Sequence, residues 1–200
     1  MKLTDYIYVN KNSLCKELCD DIIELFEKIP NKYYGIVSSG YDKQVKNTVD
    51  FSIPLEENNI DYKLWSNIKD TLIREIRSNI KEYVEKINNS IDIDKNYLPS
   101  QKFAIRALQI QKYTKKEGDF KYHHDESVMV ELNLKRYIVF IFYLNTVNNG
   151  GETEINMETR IKPECGKLLL FPASWVYPHT GIMPIDNDKY IITGWIEGPI

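Results

Sequence analysis

The chain has 200 residues, 42% of them hydrophobic, and a formal net charge of −3 from 26 basic and 29 acidic side chains. This size suits one domain with a real core. The balanced charge leaves no basic footprint for nucleic acid and no polybasic membrane patch, and no apolar run reaches the ~20 residues a membrane span needs.

The start, MKLTDYIYVN, has no apolar leader pattern, so a reducing, cytoplasmic setting is expected. Tyr6 to Val9 reads as a short strand. Ser13 suits a helix N-cap, and Leu14, Leu18, Ile22, Leu25 and Ile29 follow at helical spacing until Pro30 ends the run. Cys15 and Cys19 fall on this helix. With Cys165 they make an odd set of three, expected to be plain buried or half-buried thiols rather than a disulfide framework. Residues 31–58 are irregular, with Gly35, Gly40 and Pro54 as punctuation. A longer helix is predicted from about Asp61, with Trp65, Ile68, Leu72, Ile76, Ile80, Val84 and Ile87 as its buried stripe and Asn88-Asn89-Ser90 closing it.

Beyond Pro99 the texture becomes β. Phe103 to Tyr113 reads as a strand. Tyr137 to Leu144 (YIVFIFYL) is apolar on both faces, as a strand buried on two sides would be. Asn148-Asn149-Gly150-Gly151 is a turn signal, read as a hairpin turn needing positive φ. Lys167 to Phe171 and Tyr190 to Ile196 are further strands. The expected fold is α+β. A double-stranded β-helix (jelly-roll) core over 101–200 is buttressed by N-terminal helices in the supporting region 1–100, all within a single domain, 1–200.

All three histidines lie in the β half, two of them in Tyr122-His123-His124-Asp125-Glu126. Residues i and i+2 of a strand share a face, so His123 and Asp125 can converge on one point. With His179 from far downstream they would make two imidazoles and one carboxylate, the facial set that leaves positions open on an octahedral ion. Spacing alone leaves a second register open, with His124 and Glu126 facing inward. Lys189 follows His179 by ten residues. If its ammonium turns into the barrel it needs an anion; otherwise it is the solvated start of a strand.

The segments LQIQKYTKKEGDFKYHHDES, RYIVFIFYLNTVNNGGETEI, IKPECGKLLLFPASWVYPHTG and KYIITGWIEG, over Leu108 to Gly198, occur in the order seen in one known family. In them the chain resembles iron(II)- and 2-oxoglutarate-dependent dioxygenases of the prolyl 4-hydroxylase-like type, especially bacterial and phage forms. The resemblance implies that His123, Asp125 and His179 bind Fe(II), and an aromatic before the first histidine, here Tyr122, favours that register. It implies that Lys189 pairs with the distal carboxylate of 2-oxoglutarate and that Tyr113 and Tyr143 reach this co-substrate. O2 is the oxidant implied, and ascorbate a reductant. Trp175 and Trp195 read first as core or rim. Three functions stay open: hydroxylation of a prolyl or other peptide or protein residue, the same chemistry on a small molecule or nucleobase, and a non-catalytic metal-binding jelly-roll module.

Overall fold

The structure, a computed structural model, describes residues 2–90 and 103–200. A 3-10 turn, Leu3–Tyr6, leads into β1 (Tyr8–Asn10) and α1 (Lys16–Lys28). Four short strands follow: β2 (Tyr33–Tyr34), β3 (Ile36–Val37), β4 (Gly40–Tyr41) and β5 (Val49–Ser52). Then come α2 (Tyr62–Ser90), β6 (Ala104–Ile105), β7 (Gln109–Tyr113), β8 (Phe120–His123), β9 (Val128–Met129) and β10 (Leu134–Tyr143). The chain ends with β11 (Thr153–Ile155), β12 (Thr159–Ile161), β13 (Leu168–Pro172), β14 (His179–Gly181) and β15 (Lys189–Pro199).

Among the described residues, the strands form a large antiparallel sheet and a smaller one facing it. The large sheet runs β1-β13-β10-β15-β7-β5-β2, with β6 beside β15 and β9 beside β10; the smaller runs β12-β11-β14-β8. β3 and β4 pair as a separate hairpin. This is the expected α+β jelly roll, with both helices against the outer face of the large sheet.

Strand β10 shows why the sequence gives this layering. Ile138, Phe140, Phe142 and Leu144 turn outward and join Ile22, Phe26, Trp65, Leu72 and Ile76 of the helices in one buried cluster. Val139, Ile141 and Tyr143 turn inward with Leu169, Phe171 and Ile191. Alternation thus serves two cores at once, and each fully buried large side chain contributes roughly 1.5–3 kcal/mol. The α2 stripe matches expectation at Trp65, Leu72, Ile76, Ile80 and Ile87; Ile68 and Val84 are half-buried at its margin, while Asn79 and Tyr83 complete it. No helix among the described residues is long and apolar enough to cross a membrane.

Several boundaries differ from the sequence reading. Helix α1 begins at Lys16 with Cys15 as its N-cap, so Ser13 is not the cap. The Ser13 and Leu14 backbone N–H groups both donate to the Gly166 carbonyl, at 2.9 and 3.0 Å, which holds them out of the helix. Tyr6 belongs to the 3-10 turn, and the first strand is displaced to Tyr8–Asn10, where it pairs with β13. The strand expected over Phe103 to Tyr113 is two strands, β6 and β7, parted at 106–108. Gly150 and Gly151 have φ of +71° and +77°, as expected, yet make no hairpin. They carry the chain from β10 in the large sheet to β11 in the small one. Asn88 and Asn89 are still helical, and α2 runs to Ser90; Pro99 lies outside the described residues.

Candidate metal centre

Strand β8 ends at His123, and its alternation persists one step further. His123 and Asp125 face the barrel, whereas His124 and Glu126 are exposed. Of the two registers that spacing left open, the structure turns the 123/125 pair inward. Strand β14 pairs antiparallel with β8, placing His179 directly opposite His123. Their ring centroids are 4.2 Å apart, and one donor atom from each of His123, Asp125 and His179 lies within 4.8 Å of the other two.

Neighbouring groups aim the donors. The Nδ1 of His123 meets the Lys121 carbonyl at 2.7 Å, and that of His179 meets the Tyr177 carbonyl at 3.1 Å. An Nδ1–H donated to a carbonyl leaves the Nε2 lone pair for the shared point. His179 Nε2 stands 3.4 Å from Asp125 Oδ2. Phe120 stacks on His123 at 3.6 Å, and Phe171 meets His179 edge-on at 4.8 Å, fixing both ring planes. Burial, with the neighbouring His179, pushes the His123 pKa down to about 4. Burial alone would raise Asp125, but His179 and His123 outweigh it and hold the carboxyl at about 2. At neutral pH His123 is therefore an uncharged imidazole beside a carboxylate. Two imidazole nitrogens and one carboxylate oxygen suit a divalent iron-group ion and leave its other positions open.

Lys189 opens β15 and is buried, 1% exposed. Its Nζ donates to the Gly151 carbonyl at 3.0 Å and lies 3.7 Å from the centre of the Tyr113 ring, its register partner on β7. Among the described residues no carboxylate forms an ion pair with it. Burial pulls its pKa from 10.5 down to about 7, against a weaker opposing pull from Glu152. The buried Lys46 differs: its Nζ reaches Asp50 Oδ2 at 2.7 Å. Lys189 is thus a desolvated amine that a nearby anion would hold in its charged form.

Tyr113 links this cation to the triad strand. Its ring packs on Gly181, where an added Cβ would stand 2.9 Å from Tyr113 Cε1. Its hydroxyl donates to Gln111 Oε1 at 3.1 Å. The Tyr143 hydroxyl donates to Thr153 Oγ1 at 2.7 Å. Burial raises both phenol pKa values, so both stay protonated. The structure therefore gathers all six expected site residues in one barrel interior. It adds Phe120, Phe171, Gln111 and Thr153, which sequence reasoning missed. Their only sequence signal was the inward phase of strands whose pairing was not known.

Residues 108–197 match the sequence model of the 2OG-Fe(II) oxygenase superfamily. Comparison with curated proteins finds no significant match. Among solved structures, the fold is similar to the viral collagen prolyl hydroxylase of Paramecium bursaria Chlorella virus-1, solved with 2OG. That likeness has 17% identity, covers 96% of each chain and has a TM-score of 0.65. A Trichoplax adhaerens prolyl hydroxylase, solved with a hypoxia-inducible-factor peptide fragment, is 15% identical. It has a TM-score of 0.65 over 96% of this chain and 84% of that one. A Pseudomonas putida prolyl-4-hydroxylase is 13% identical, with a TM-score of 0.64 over 96% of this chain and 93% of that one.

Proposed function

We propose that this chain, whose residues 108–197 match the 2OG-Fe(II) oxygenase superfamily, hydroxylates an unactivated C–H bond in a prolyl or other residue of a peptide or protein, releasing succinate and CO2. The observation that carries the reading is the convergence of His123, Asp125 and His179 in the same barrel that buries the unpaired ammonium of Lys189. Residues 1–200 act as one domain in this reading, with 1–100 supporting the core.

When bound, iron(II) with 2-oxoglutarate and O2 supplies the oxidative decarboxylation that drives C–H hydroxylation. The chain's own part is binding, orientation and exclusion of water. His123, Asp125 and His179 would hold the ion through donor atoms that lie within 4.8 Å of one another. Lys189 takes the far carboxylate of 2-oxoglutarate in a charge-assisted hydrogen bond, strong because the site is dry. The Tyr113 ring keeps that ammonium in place, and its hydroxyl and that of Tyr143 offer polar contacts along the co-substrate. With Nδ1 turned to a backbone carbonyl, each imidazole would offer Nε2 to the ion, so neither is left to act as a general base. The peptide class is supported by the prolyl hydroxylase folds, one of them a collagen prolyl hydroxylase and another solved with a peptide fragment.

The test is incubation with Fe(II), ascorbate and labelled 2-oxoglutarate, with and without peptide pools and small-molecule or nucleobase pools. Succinate release that needs both iron and 2-oxoglutarate, with one oxygen atom gained by a peptide, is the expected result. Release driven only by small molecules would move the substrate class. No release with any pool would leave a metal-binding module. His123→Ala and Asp125→Ala are each expected to lose bound iron and all turnover, read by metal analysis of the purified variants.

A further inference from the structure

We propose that Trp195 and Arg136 form a positioning pair that fixes the Asp125 carboxylate, so that the large sheet sets the strength of metal binding along with the ligands. The inference rests on reading His123, Asp125 and His179 as metal ligands.

Asp125 is the ligand with the least regular support. His123 ends β8 and His179 opens β14, but Asp125 lies on the link between β8 and β9, where no strand ladder orients it. Arg136 of β10 grips that link twice. Its backbone N–H donates to the Ser127 carbonyl at 3.0 Å, and its Nη1 donates to the Asp125 carbonyl at 3.5 Å. Its guanidinium lies over the Trp195 ring, with Cζ 3.5 Å from the ring centre. Through that stack Trp195 is joined to the residue that holds Asp125, and its own Nε1 is buried without a hydrogen-bond partner.

Three of the six buried side-chain polar atoms without a hydrogen-bond partner among the described residues fall here, and the others lie at Thr48, Asp50 and Trp65. The three are Trp195 Nε1, Arg136 Nε and Glu197 Oε2. Glu197 stands between Arg136 and Arg106, its oxygens 3.8 and 3.7 Å from their Nε atoms, and so steadies the guanidinium from behind. Buried donors left without partners call for an explanation, and a carboxylate that changes its engagement when an ion arrives supplies one. A carboxylate has two oxygens. Oδ2 faces His179 across the metal point, so the indole N–H can serve the carboxylate as a whole while the ligand oxygen turns to the ion.

Two substitutions separate this role from mere packing. Trp195→Phe keeps an aromatic plane under the guanidinium and deletes the N–H. Arg136→Lys keeps the charge and loses the planar stack. The probe is Co(II), titrated into metal-free wild type, both variants and Asp125→Ala, with ligand-field absorbance as readout and metal-free thermal midpoints alongside. Each of the two variants is expected to weaken Co(II) binding about 10-fold to 100-fold and to shift the ligand-field bands, with little change in the Trp195→Phe midpoint. Wild-type affinity and bands in both would overturn the proposal. So would losses of affinity that merely track a fall in thermal midpoint. Asp125→Ala binding Co(II) like wild type would instead overturn the ligand reading on which the proposal stands. Should Trp195→Phe fail to fold, Arg136→Lys decides by the same readouts.

Discussion

Lys189 sits in the barrel with one carbonyl and the face of one ring as its company, and a pH dependence follows. Its pKa falls from 10.5 unfolded to about 7 in the fold, so between those values the unfolded chain binds the extra proton. Stability of the co-substrate-free protein should therefore rise as pH climbs from about 7 toward 10.5, and be lowest below about 7. Binding of 2-oxoglutarate should weaken over that range, by up to about tenfold per pH unit, because the ammonium form is the one that binds. Titration calorimetry against pH checks this. Lys189→Met should raise the metal-free thermal midpoint at pH 7 and abolish 2-oxoglutarate binding. A lowered midpoint with intact binding would remove the residue from its role. At this scale much was legible. The H-x-D pair, the distal histidine and the lysine could be picked out only with the family resemblance, since spacing left a second register and a solvated Lys189 open. The hydroxyl directions of Tyr113 and Tyr143 could not, because Gln111 and Thr153 set them and their approach depends on strand folding and pairing.

Strand β15 concentrates the site's needs in one element. It carries Lys189 at one end and Trp195 near the other, and between them Gly194 permits a close crossing. A Cβ at Gly194 would stand 2.2 Å from the Ala107 carbonyl oxygen and 2.5 Å from Phe140 Cζ. Gly194→Ala is expected to cost roughly 1–3 kcal/mol of stability, read by urea unfolding, since backbone must move to admit the methyl. Long elements with a steady period were readable from sequence, as β10 and α2 illustrate. Short ones were not. β2, β3 and β4 have two residues each, too few for alternation to register, and their places are set by partners. The misplaced N-cap has the same origin. Ser13 is a good capping residue locally, but the Gly166 carbonyl competes for its backbone from the far side of the sequence.

Taken whole, the molecule is a helical layer, a large sheet and a smaller sheet; His123 and His179 belong to the smaller sheet, and Asp125 to the link that leaves it. The change of texture between the chain's halves showed that helices would brace a β core. It did not show that the 148–151 turn crosses between sheets, because a positive-φ glycine pair is equally at home in a hairpin. If the ion binds the folded chain alone, it should stabilise by about 2.7 kcal/mol at a free concentration 100 times its dissociation constant. Thermal melts with and without a chelator check this.

That stabilisation should be unevenly spread. β8 is the border strand of the four-stranded sheet, laddered within it to β14 alone, with one further bridge from Phe120 to Lys46. The Lys121 N–H also donates to the Val45 carbonyl and the Asn47 N–H to the Asp119 carbonyl, so residues 45–47 hold the outer side, and an ion shared by His123 and His179 would act as a rivet on the inner one. Deuterium uptake should then slow on metal addition at residues 120–123 and barely change in α2. Equal slowing of both would mean that the ion clamps the molecule evenly, not its seam.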